Sequence, residues 1–116
     1  MGQPGYAAGA AYILVKNGST WSVQQKIHGN NTGMGDQFGF DVAISADGNT
    51  AVVGAPGEDN DNAAPNNTGA LYVFTRTGTT WTEDDMIHGS TPYQNQDLGK
   101  NIDISDDGSA VTAGSI

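Results

Sequence analysis

The chain has no cysteine, which excludes a disulfide framework and any thiolate metal site. Basic residues are few: 4 Lys and Arg stand against 13 Asp and Glu, for a net charge of -9. Those four, Lys16, Lys26, Arg76 and Lys100, are scattered along the sequence. Duplex binding requires clustered cations that displace phosphate counterions, so nucleic acid is not an expected partner. No apolar run approaches the ~20 residues that span a bilayer, so no membrane span is expected. The opening residues Met1-Gly2-Gln3-Pro4-Gly5 show neither the basic start nor the apolar stretch of a signal peptide. If the protein is exported, its signal is expected to lie outside this chain or to have been removed.

What is abundant is glycine, at 17 of 116 residues, together with Asn, Thr, Asp and Ser, while Leu, Glu, Lys and Arg are scarce. That balance favours short strands joined by tight turns. Sliding the chain against itself by 60 positions aligns many landmarks without a gap. Gly9-Ala10-x-Tyr12 falls on Gly69-Ala70-x-Tyr72, and Gly18-x-Thr20-Trp21 on Gly78-x-Thr80-Trp81. Ile27-His28-Gly29 falls on Ile87-His88-Gly89, and Asp47-Gly48 on Asp107-Gly108. These matches sit on turns and aromatics, where geometry constrains sequence most. The expected organisation is one sector, residues 1–116, with a first repeat over about 9–68 and a second over about 69–116.

Each unit holds four expected strands. Residues 10–16 (AAYILVK) and 70–76 (ALYVFTR) are near-continuous apolar runs, the pattern of a strand covered on both faces. Asn17-Gly18 and Thr77-Gly78 then turn the chain into 20–27 and 80–87, whose polar character suits an outer edge. Residues 38–45 place Phe38, Phe40, Val42 and Ile44 on one face by period two. Asp47-Gly48 turns into 50–54; the second copy gives 98–105 and 110–114. Each unit thus reads as a four-stranded antiparallel meander, and the fold class is all-β. Two such units describe β-propeller blades, whose faces pack on neighbouring blades. The alternative is a sandwich of eight short strands, which would show cleaner in/out alternation.

Phe38-Gly39, the Asp47-Gly48 hairpin and Gly54-Ala55-Pro56, with flanks GDQFGFDVAIS and GALYVFTRTGTTW, resemble the FG-GAP repeat of integrin α-subunit-like propellers. In the second copy Leu98-Gly99 and Gly114-Ser115-Ile116 replace the two motif pieces. The resemblance implies a propeller, usually of seven blades, often extracellular and used in adhesion or ligand binding. The strands are permuted: the first two would form the outer pair of one blade and the last two the inner pair of another. Copies could complete each other's split blade, closing a homo-oligomeric ring. Pairs of blades cannot make seven, so six blades from three chains are favoured over eight from four. The other possibility is a piece of a longer propeller.

Family-style calcium sites occupy an acidic loop between the first two strands of a blade, but the turns at Ser45–Gly48 and Ser105–Gly108 are too short to wrap the ion. Glu58, Asp59 and Asp61, with nearby amide oxygens, form a candidate calcium loop; a solvated loop is the plainer reading. His28 and His88 recur at one per repeat with no further ligand at zinc spacing, which favours capped strand ends. Trp21 and Trp81 are candidate ligand residues for a protein or glycan partner, since an exposed indole stacks on sugar rings; packing against an adjacent strand with a bonded N–H is the alternative. No Ser sits in a nucleophile elbow. Asp41 and Asp103 lie within strands, where burial could perturb a carboxylate or a structural hydrogen bond could use it. No catalytic residues and no firm cofactor are expected. The expected role is a non-enzymatic binding or structural module of adhesion type, with a lectin as the alternative.

Overall fold

The computed structural model describes residues 9–29, 37–57, 69–88 and 98–114. Among them there is no helix, and eight strands run in order: β1 (Ala11–Asn17), β2 (Thr20–Ile27), β3 (Val42–Ile44), β4 (Thr50–Ala55), β5 (Ala70–Thr77), β6 (Thr80–Ile87), β7 (Ile102–Ile104) and β8 (Val111–Ala113). All strand pairs are antiparallel. The expected strands over 38–45 and 98–105 shorten to three residues each. Phe38 and Leu98 instead make isolated parallel bridges to Gly9 and Gly69.

The strands form three sheets, β1-β2, β3-β4-β5-β6 and β7-β8. The continuous four-stranded meander therefore straddles the boundary between the two sequence repeats instead of coinciding with either. The cause is local: β2 ends at Ile27 and the chain leaves for another sheet before β3, while β4 pairs with β5 over six residues from Thr50↔Thr75 to Ala55↔Ala70.

The two middle strands of the central sheet, β4 and β5, are covered on both faces. Successive residues of a strand point to opposite sides, so Ala51, Val53 and Ala55 of β4 share a face with Tyr72 and Phe74 of β5. That face holds the core with Ile27, Phe38 and Trp81, and Ala11 and Ile13 of β1 pack against it. The opposite face meets β7 and the loop before it. There a side chain on Gly54 would collide with the backbone of Gly99, so glycine sets the closest approach of the two sheets. β6 lies at the edge of the central sheet and carries exposed Thr82, Asp84 and Asp85, in keeping with its polar sequence.

Candidate functional site

The motif residues converge on one corner of the central sheet. The Gly39 N–H donates to the Gly54 carbonyl at 3.0 Å, Phe40 N–H reaches the same oxygen at 3.2 Å, and Gly54 N–H returns a bond to Asp41 O at 2.9 Å. Phe-Gly and Gly-Ala-Pro are thus two sides of one backbone clasp. Phe38, almost fully buried, turns its ring edge-on to Tyr72 at 5.2 Å and to Phe74 at 6.0 Å, the arrangement aromatic quadrupoles favour. Ala55 and Pro56 are buried beside it. The second copy reproduces the clasp without the Phe: Gly99 N–H to Gly114 O at 3.2 Å and Gly114 N–H to Asn101 O at 2.9 Å.

The two Asp-Gly turns are closed by their own side chains. Ser45 Oγ donates to Asp47 Oδ1 at 2.6 Å, Asn49 N–H donates to the same oxygen at 3.0 Å, and Thr50 N–H donates to Ser45 Oγ at 3.1 Å. Ser105, Asp107, Ser109 and Ala110 repeat this pattern. The Ser45 hydroxyl and then the Asn49 N–H hold the Asp47 carboxyl below its usual 3.8. For Asp107 the Ser109 hydroxyl is the largest cause, followed by the Ser109 N–H and the Ser105 hydroxyl. The turn oxygens are engaged in shaping the hairpin. Among the described residues no three His, Asp or Glu cluster as metal ligands. Glu58, Asp59 and Asp61 lie outside the described residues.

Asp41 ties two sheets together: its Oδ2 accepts the Ile102 N–H at 2.7 Å. Asp103 is exposed and accepts the Ile104 N–H beside it at 2.9 Å. Nδ1 of His88 lies 3.3 Å from the Gly69 carbonyl at the strand end, and His28 is exposed.

The repeated tryptophans part company. Trp81 is buried, its Nε1–H donating to Gln24 Oε1 at 2.8 Å, while its backbone N–H and C=O are both held by the Gln25 amide at 2.8 Å. It offers no open ring to a ligand. Trp21 is 63% exposed. The same split runs through the neighbouring positions: Tyr12 is 55% exposed against 0% for Tyr72, and Leu14 53% against 3% for Phe74. Phe40, Val42 and Ile44 are also more than half exposed. β1, Trp21 and β3 therefore present a large apolar surface on one side of the molecule, with a cleft of about 390 Å³ between β1 and the β3–β4 hairpin. Residues at equivalent positions are chemically alike, so their identity alone does not tell which copy is covered.

Among known proteins, the family model of the FG-GAP repeat matches residues 21–74, from Trp21 in β2 to Phe74 in β5. No curated protein matches the chain.

Proposed function

From the FG-GAP repeat that residues 21–74 form, we propose that this chain is a non-enzymatic binding or structural module, a propeller scaffold of adhesion type built by self-association. FG-GAP repeats are typical of extracellular or surface proteins, and this chain is assigned to that setting on the same ground. The observation that carries the reading is the exposure of Tyr12, Leu14 and Trp21 where Tyr72, Phe74 and Trp81 are buried. An apolar surface this large is covered in a soluble assembly. The described residues of each chain supply eight strands, two blades' worth, and on that count three chains make a six-bladed ring and four an eight-bladed one. The trimer is favoured. Light scattering tests this: a mass near three times the 12.0 kDa chain is expected, and a stable single-chain mass at high concentration overturns it.

The carbohydrate-binding reading keeps one supporting observation, the open indole of Trp21. A glycan array separates the two. Sugar binding lost in Trp21→Ala supports the lectin; no sugar bound by the wild-type chain leaves the scaffold.

A further inference from the structure

The repeat shows what should lie against each open surface, because one junction of the same kind is already closed inside the chain. β4 pairs with β5, and adding or subtracting 60 converts these strands into β8 and β1. Among the described residues β8 has β7 as its sole strand neighbour, and β1 has β2. These are the two strand edges that would meet. On the reading above, that the chain self-associates, we infer that β8 of a second copy of this chain pairs with β1 antiparallel in the register of the β4–β5 junction. The observed pairs Ala51↔Phe74, Val52↔Val73, Val53↔Tyr72 and Gly54↔Leu71 become the partner's Val111 with Leu14, the partner's Thr112 with Ile13, the partner's Ala113 with Tyr12 and the partner's Gly114 with Ala11.

The same shift closes the faces as well as the edges. Ile27 is buried among Tyr72, Phe74 and Trp81, whereas its equivalent Ile87 is 40% exposed. Pairing brings Tyr12, Leu14 and Trp21 onto the partner's Ile87, so both exposed sets are covered in one contact. Within the chain Asp41 accepts the Ile102 N–H; across the junction the partner's Asn101 accepts the Val42 N–H. Gly54 meets Gly99 within the chain; across the junction the partner's Gly114 meets Gly39. Arg76 holds Gly48 O at 3.0 Å and Asn49 Oδ1 at 2.6 Å; Lys16 takes that place beside the partner's Gly108 and Ser109.

One contact differs chemically. The Gln24 and Gln25 amides that hold Trp81 correspond to Asp84 and Asp85. A carboxylate accepts a proton but donates none, and Asp is one methylene shorter than Gln. The junction therefore holds Trp21 less firmly than the chain holds Trp81, and it is the weaker seam of the assembly.

The absence of cysteine makes cross-linking unambiguous. In the full chain, Leu14→Cys with Val111→Cys should oxidise to covalent dimers and higher species. Leu14→Cys with Thr112→Cys should stay a single chain, because a one-residue slip turns the thiols to opposite faces. A native-like mass with cross-linking in the second pair or in neither overturns the register while leaving self-association standing. A single-chain mass for the unmodified protein overturns both. A second arm uses exposed positions that do not threaten the fold. Asp84→Gln/Asp85→Gln should lower the dissociation constant about tenfold relative to the equally charged Asp84→Asn/Asp85→Asn, the scale of two recovered hydrogen bonds. Equal constants for the two variants overturn the placement of Trp21 on the partner's β6.

Discussion

The β1–β2 and β5–β6 hairpins are the same building block in different company. Both run seven or eight residues per strand, and both carry a register shift, between Ile13 and Leu14 in one and between Val73 and Phe74 in the other. One has β4 along its edge and a sheet across its apolar face, and its Tyr, Phe and Trp are buried. Among the described residues the other has neither, and its Tyr, Leu and Trp are exposed. Burial here is a property of the neighbours a hairpin finds, since the residues that would be buried are present in both.

The sharpest way to break that comparison is to remove each tryptophan in turn. Trp81→Ala should cost about 3–5 kcal/mol of chain stability, enough to unfold much of a small domain. Trp21→Ala should leave a folded single chain and abolish assembly, a difference readable by thermal melts alongside mass measurement. If both variants unfold alike, the two hairpins are not in different environments.

The glycines sharpen it next. Gly54→Ala forces the central sheet away from the Gly99 backbone, and overpacking of this kind costs about 1–3 kcal/mol. A side chain on Gly114 meets little more than Asn101, so Gly114→Ala should change chain stability by less than about 0.5 kcal/mol. Denaturant melts at low concentration separate the two. The sheet tie follows: Asp41→Ala removes the acceptor of the Ile102 N–H and should cost about 1.5–3 kcal/mol, whereas Asn101→Ala should act on assembly alone.

The smallest effect is that of pH on the turns. The Asp47 and Asp107 carboxyls are held below 3.8 in the folded chain. The folded state therefore binds fewer protons than the unfolded one as pH drops toward and below that value. Their contribution is present above pH 3.8 and is lost as pH falls through the lowered folded values. Both turns lie at the surface, so the effect is slight. Melts across pH 2 to 5 of wild type and Ser45→Ala/Ser105→Ala should show a shallower acid slope in the variant.

Strands, hairpins and the repeat were legible in the residues because tight turns and apolar runs leave local signatures. Ala70 to Phe74 reads as a fully covered strand and is one. Tyr12 to Val15 reads the same way, yet Tyr12, Leu14 and Val15 are exposed and Ile13 alone turns to the core, since periodicity reports what a strand is suited to and not which sheet it has joined. The grouping of the strands did not follow from the repeat itself, since a 60-residue period is unchanged wherever the unit is cut; it came from the resemblance, which sets the first two and last two strands apart from the four between them. The Phe-Gly and Gly-Ala-Pro pieces were legible as a motif, but their shared oxygen at Gly54 was not. Nor was the bond from Ile102 to Asp41, which joins residues 61 apart.

Hydrogen exchange, resolved by residue in concentrated protein, tests whether β1 finds the neighbour β5 already has. The decisive amides are the alternate ones of β1 that point away from β2. Protection comparable to that of the β5 amides bonded to β4, fading on dilution, is the expected result. Rapid exchange of those amides at every concentration, beside a protected β5, would contradict the account.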